Sequence, residues 1–256
     1  IRSFTSLSER LSPKENFNFL NSYLERIGPV IRANGGFIDK YLGDGIMALF
    51  PDRIEAALQA AKEMQQKVRE YNVHRAKSGY DPISIGIAIN VGHLMLGTIG
   101  ESDRMDTTVI SDAVNLASRM EGLSKIYGPG VIVTMAVIER LAQPADWHWR
   151  RLGRIRVRGR EEAIELVQVL DGLEDEMIDQ LLDCRSDWEA ALAAYARGAM
   201  AEAARLFDGL AERLPGDPAR AVFHARARDW LERGVPAGWD GVENWADILR
   251  GNPAPQ

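Results

Sequence analysis

Fifteen residues, GFIDKYLGDGIMALF from Gly36 to Phe50, restrict the fold of this chain more than any other stretch. They read as two short apolar strands joined through Gly-Asp-Gly, a combination that favours the positive φ angles of a tight hairpin. Phe37, Ile38, Tyr41 and Leu42 supply the first strand, and Ile46 to Phe50 the second. Asp44 is thereby held at a rigid tip between two glycines that let backbone and ligand come close. Lys40 interrupts the otherwise apolar first strand. Taken alone, the stretch reads as a surface hairpin with an exposed carboxylate and a snorkelling lysine.

At 256 residues the chain suffices for one large domain or two ordinary ones. A net charge of −6 and the lack of a strongly basic segment argue against a nucleic-acid partner. Cys184 is the sole cysteine, so no intrachain disulfide forms and a reducing, cytoplasmic setting fits best. No apolar run reaches the length of a membrane span. The sequence opens at Ile1, already inside a structured element, and reads as a piece of a larger protein. The expectation is therefore a cytoplasmic location that includes the cytosolic part of a membrane-anchored parent.

Ser12-Pro13-Lys14-Glu15 is a capping box with proline at the first helical position, and Phe17, Leu20, Leu24, Ile27 and Ile31 follow at helical spacing. Pro29 should kink or break this helix. A second helix is expected from Asp52 to about Lys77, with Asp52 and Glu55 echoing the capping box. Ile83, Ile85, Ile87 and Ile89 alternate with small or polar residues, so a strand with a closely packed second face is expected there. Val91 to Ile99 reads as its hairpin partner, and Thr107 to Ile110 as a short strand before a helix that starts near Ser111 or Asp112. On that helix Asn115 and Arg119 stand four apart and share a face. They are either solvated or fixed donors for a phosphate or a developing oxyanion. Val131 to Thr134, Trp147 to Val157 and Ala163 to Leu170 read as further strands, the last two joined by Arg158-Gly159-Arg160-Glu161.

From about Asp171 the composition turns Ala-rich and helical, without strand signals. Trp188 and Tyr195, then Ala203, Phe207 and Pro215, resemble the two halves of one tetratricopeptide repeat, set one residue closer together than the pattern asks. A single repeat cannot bury both faces and must dock on something. The tail from Pro236, with Trp239 and Trp245, is aromatic enough to be a docking segment.

IRSFTSLSERLSP, KYLGDGIMALF, GHLMLGTIG, RMDTTVISDAVNLASRME and VRGREE together resemble the class III nucleotidyl cyclase catalytic domain, in its order and at its spacings. The likeness covers roughly residues 1–172, leaving 173–256 as a helical, tetratricopeptide-like extension. It implies an α+β fold, a βα-sandwich with a ferredoxin-like core followed by a small all-α extension. It further implies a homodimer with shared sites, in a parent protein with an upstream sensor. The reaction implied is attack of the ATP 3′-hydroxyl on the α-phosphorus, giving cyclic AMP and pyrophosphate, with two divalent cations, Mg²⁺ or Mn²⁺.

By position, Asp44 resembles one of the two metal-binding aspartates; the other would stand one residue ahead of Ile1. The Ile1 carbonyl would also face a metal, and the backbone around Phe4 and Thr5 would meet the phosphates. Lys40 and Thr108 match the pair that reads the adenine edge. Guanine-specific relatives carry an acidic residue and a small polar one there, so Lys40 speaks for ATP. Asn115 and Arg119 match the pair that orients the ribose and neutralises transition-state charge. Arg158 sits where the family usually has a phosphate-binding lysine. The metal carboxylates and adenine-reading residues of one site come from different subunits, so Asp44 and Lys40 would serve separate sites.

Three departures stand out: Ser84 for an arginine that meets phosphate, Ser111 for a glycine before the Asn-Arg helix, and Arg158 for lysine. The alternative function is a catalytically impaired cyclase-homology domain that binds nucleotide and dimerises as a regulatory module. A diguanylate cyclase is disfavoured, because LGDGI is not a GGDEF-like turn.

Overall fold

The structure, a computed structural model, describes residues 1–101, 104–157 and 162–250. A short helix, α1 (Phe4–Ser8), precedes the long α2 (Pro13–Ala33). Ser12 caps α2 through the expected box: its hydroxyl accepts from the Glu15 amide, and the Glu15 carboxylate accepts from the Ser12 amide at 2.8 Å. Of the two outcomes expected at Pro29, the break does not occur: α2 continues through it, with the proline on the exposed side.

Strands β1 (Phe37–Leu42) and β2 (Gly45–Leu49) form the antiparallel hairpin, with Gly43 at φ 65° in the turn. Helix α3 (Ile54–Lys77) starts later than expected, and Arg53 rather than Asp52 stands at its N-cap without a side-chain bond. Glu55 instead accepts from the Ala142 amide at 2.8 Å, a long-range partner that no local pattern reveals.

Strand β3 (Ile87–Ile89) keeps only the end of the alternating stretch. The Asn72 amide group binds both the Ile83 N–H and C=O at 2.8 Å, and the Ser84 carbonyl accepts from the Arg2 amide. Those backbone groups are thus satisfied outside any sheet. Nor is β3 the hairpin partner of the next strand. β4 (Met95–Glu101) pairs with β5 (Arg104–Ile110) as a separate two-stranded arm. Period-two alternation identifies a strand but not its neighbour.

Helix α4 (Asp112–Tyr127) leads to β6 (Val131–Thr134), the single turn α5 (Met135–Ile138), β7 (Trp149–Arg156) and β8 (Ile164–Val169). Helices α6 (Asp175–Asp183), α7 (Arg185–Ala196), α8 (Met200–Gly209) and α9 (Pro218–Arg233) follow. A three-residue strand, β9 (Val242–Asn244), and α10 (Trp245–Arg250) close the described chain. The main sheet has the order β3-β6-β8-β7-β9, with β3 parallel to β6 and β9 parallel to β7. Both faces are covered, which is why Val131-Ile132-Val133-Thr134 is buried throughout rather than alternating. Val131, Val133 and Val167 pack with Leu58 and Ala61 of α3 on one face. Ile132, Leu152, Ile155 and Leu166 pack on the other with Met120 and Leu123 of α4.

That second core continues without a break into the segment past residue 172, through Trp188, Tyr195, Phe207 and Phe223. Trp188 is fully buried and its indole donates to the Arg151 carbonyl at 2.8 Å. Arg150 of β7 donates through both terminal nitrogens to Asp217, the N-cap of α9, at 2.7 Å each, and stacks on Trp188. No helix among the described residues is long and apolar enough to cross a membrane.

Candidate active site

The hairpin tip comes first. Register shifts between Ile38 and Lys40, so Asp39 is a bulge residue and locally re-aims the strand beside Lys40. The Asp44 carboxylate, a quarter exposed, lies against the backbone at Ile1, 43 residues away along the chain. Tyr23 lies buried nearby, and burial, then the Asp44 charge, push its phenol above the usual tyrosine range. Ser3, at φ 53°, turns the chain into α1, and Phe4 stacks on Phe19 with centroids 6.4 Å apart. The first turn of α1, with Thr5 exposed, is thereby fixed close to Ile1, and the amides of such a turn have no partner within their helix.

Arg2 ties this corner to α4. Its guanidinium reaches the Glu121 carboxylate at 2.8 Å and the Glu121 carbonyl at 3.1 Å. On the way it crosses Gly86, where a Cβ would lie 1.2 Å from an Arg2 nitrogen, so any side chain there would displace the guanidinium. This is the close approach that the small residues beside the isoleucines signalled. A guanidinium therefore stands close to Ser84, but it comes from Arg2 and is engaged by Glu121.

The second part of the site is the start of α4. The Ser111 hydroxyl accepts from the Ala113 amide at 3.0 Å and donates to the His93 carbonyl at 2.7 Å, so the serine acts as the helix cap. Asn90 donates to the Ala113 carbonyl and accepts from the Thr134 hydroxyl, both at 3.1 Å, pinning α4 to β6. A hollow of about 280 Å³ opens there, lined by Asn90, His93, Asp112, Ala113, Leu116 and Thr134. Asn115 and Arg119 face solvent one turn apart on α4. Sequence reasoning passed over Asn90; its signal is an amide at the end of an alternating apolar strand.

Among the expected site residues, then, Ile1 and Asp44 meet, while Asn115 and Arg119 share the outer face of α4. Lys40 Nζ lies 3.3 Å from Asp39. Thr108 sits in β5 opposite Gly97, with its side chain outside the described residues, as is the whole of Arg158. No cluster of three or more His, Cys, Asp or Glu is found among the described residues. The Asp44 carboxylate and the Ile1 carbonyl are hard oxygen donors, a set that suits a divalent cation whose shell is completed by phosphate oxygens. Large apolar side chains also lie open: Tyr41 and Leu42 beside the tip, and Leu94, Met95 and Leu96 at the base of the β4–β5 arm, Met95 being 71% exposed.

The family profile described as Adenylate and Guanylate cyclase catalytic domain matches residues 1–170. The chain is 46% identical over 175 residues to an adenylate cyclase of Anabaena cylindrica, covering 66% of this chain and 35% of that protein. It is 32% identical over 232 residues to the terminal-differentiation specific adenylate cyclase of Dictyostelium discoideum, covering 88% of this chain and 11% of that protein. That second match is longer than residues 1–172 can supply, so similarity continues into the helical segment. The chain thus spans only about a third, or less, of these relatives. Among solved structures it resembles the adenylyl cyclase CyaB of P. aeruginosa (TM-score 0.58, 28% identity, 68% of this chain and 91% of that one). It also resembles the guanylyl cyclase Cya2 (TM-score 0.56, 31% identity, 68% and 89%).

Proposed function

Because the chain belongs to the adenylate and guanylate cyclase catalytic family, we propose that it converts ATP to 3′,5′-cyclic AMP and pyrophosphate at sites shared by two copies. The observation that carries the reading is the meeting of Asp44 and Ile1 at the glycine-flanked tip, where the family resemblance calls for metal donors. Residues 1–172 form the catalytic unit in this proposal, and 173–256 a tetratricopeptide-like extension built on the α7–α8 pair.

The reaction requires the 3′-hydroxyl to approach the α-phosphorus in line with the departing pyrophosphate. Divalent cations, Mg²⁺ or Mn²⁺, supply Lewis acidity toward the hydroxyl and the triphosphate when bound. Asp44 and the Ile1 carbonyl hold them, and the backbone at Phe4 and Thr5 seats the phosphates. From the second copy, Lys40 donates to adenine N1 and Thr108 completes the adenine edge. Guanine presents a donor at the corresponding position and would face the Lys40 ammonium donor to donor. Asn115 orients the ribose, Arg119 neutralises charge developing on the α-phosphoryl group, and Arg158 binds the phosphates. The open apolar side chains of β1 and of the β4–β5 arm support dimerisation, since a lone copy leaves them in water. A single buried thiol, Cys184, supports a cytoplasmic setting.

The test is incubation of the chain, carrying an aspartate ahead of Ile1, with ATP and Mg²⁺ or Mn²⁺, with products separated chromatographically. Cyclic AMP is expected. Nucleotide binding without turnover would replace this reading by that of a regulatory module.

A further inference from the structure

The far end of α4 does not belong to the catalytic unit alone. Tyr127, its last residue, is buried with its ring stacked on Phe223 of α9, centroids 5.9 Å apart. Arg226, one turn further along α9, donates to the Tyr127 hydroxyl at 3.1 Å and pairs with Glu243 of β9 at 3.0 Å. Both members of that ion pair are nearly buried, 10% and 12% exposed. Tyr195 of α7 donates its hydroxyl to the same Glu243 carboxylate. Gly128, which ends α4 at φ 90°, abuts Pro218 at the start of α9, and a Cβ there would stand 2.8 Å from the proline ring. Elements α7, α9 and β9, all from the segment past residue 172, therefore converge on one end of the helix whose first half carries Asn115 and Arg119.

A helix is a stiff rod, and Arg119 lies only about 12 Å along the axis from Tyr127 at 1.5 Å per residue. A shift at one end is delivered to the other, and misplacement by about 1 Å costs on the order of a hundredfold in rate. We propose that Arg226, held by Glu243, is a positioning residue: it fixes α4 through Tyr127 and so sets where Asn115 and Arg119 stand during cyclisation. The inference rests on the cyclase reading above for its catalytic consequence. It gives the extension a part in turnover, distinct from covering the sheet. The Arg150–Asp217 pair is the natural comparison, because it fastens the same extension to β7 and the Arg150 hydrogen bonds go to Gln168 and Asp217 rather than to Tyr127.

The experiment measures kcat and KM for ATP, thermal unfolding and hydrogen exchange along α4 in full-length Arg226→Met, Arg226→Lys, Tyr127→Phe and Arg150→Met. The expected result is a fall in kcat of at least about tenfold in Arg226→Met with KM within about twofold, and recovery in Arg226→Lys. Amides of the first turns of α4 exchange faster in Arg226→Met than in Arg150→Met, which loses stability but keeps kcat below its unfolding transition. Wild-type kcat in Arg226→Met, or equal losses of kcat in Arg226→Met and Arg150→Met, would overturn the proposal. Should Arg226→Met fail to fold, Tyr127→Phe decides, and unchanged kcat and exchange there would overturn it. A wild-type chain that forms no cyclic AMP refutes the cyclase reading alone; the exchange comparison then decides the coupling by itself.

Discussion

Replacing Arg150 by methionine measures how firmly the helical extension is fused to the catalytic sheet. Arg150 is 4% exposed and Asp217 8%, and the guanidinium makes two 2.7 Å bonds to the carboxylate. Its Nε donates to Gln168 at 2.8 Å, and the plane lies 4.4 Å from the Trp188 ring. Methionine keeps much of the apolar stem but leaves the Asp217 carboxylate buried without its cation. Removing one member of a buried pair costs about 3–5 kcal/mol, a third or more of the stability of an ordinary domain. The stacking energy on Trp188 is part of the same loss and is not added to it. The midpoint should fall by on the order of 10 °C. Urea unfolding followed by tryptophan fluorescence reads the change, because Trp188 sits at the joint. Adding Asp217→Leu should recover part of the loss, since it removes the stranded charge but also the α9 cap, which costs about 1 kcal/mol. A loss below about 1 kcal/mol in Arg150→Met would refute the reasoning and mean that the extension is only loosely attached.

Asp44→Ala should lower cyclic AMP formation at least about a hundredfold, because it deletes the carboxylate proposed to hold the cations; full activity would contradict the assignment. Lys40→Glu should reduce the preference for ATP over GTP, read as the ratio of kcat/KM values, by at least about tenfold, and an unchanged ratio would contradict the adenine-reading role. Burial first of all holds the phenols of Tyr23, Tyr127 and Tyr195 above their usual range. A raised folded-state pKa means stability that is complete below the unfolded value near 10 and is lost as pH climbs beyond it, by about 1.4 kcal/mol per pH unit for each such group. Alkaline titration by tyrosinate absorbance should therefore show Tyr23, Tyr127 and Tyr195 ionising only as the fold is lost; ionisation of these three in the folded protein would contradict it.

The sequence reveals most where local pattern and chemistry coincide. The Gly36–Phe50 hairpin, the Ser12 box and the start of α4 all rest on contacts within a few residues. Apart from Pro29, the misreadings involve partners far along the chain. Glu55 belongs to Ala142, not to a cap, and the β4–β5 arm pairs with itself while β3 pairs with the distant β6. Asn72 and Arg2 take the backbone groups that would have lengthened β3. β9 is three residues long and owes its existence to the edge of β7, so no propensity announces it. In the site, Asp44, Asn115 and Arg119 are singled out by the family resemblance; the glycines and the helical spacing alone are those of a surface hairpin and a solvated helix face. Asn90, Tyr23 and the Arg226–Tyr127 contact emerge only once distant segments are packed together.

The most direct test of the central claim is a mixing measurement. Asp44→Ala and Arg119→Ala chains, each nearly inactive alone, are combined in equal amounts, allowed to exchange subunits, and assayed for cyclic AMP from ATP. Shared sites predict recovery to about a quarter of wild-type activity, because half of the dimers are mixed and each mixed dimer rebuilds one of two sites. No recovery on mixing, with subunit exchange demonstrated, would contradict an active site assembled from Asp44 of one copy and Arg119 of the other.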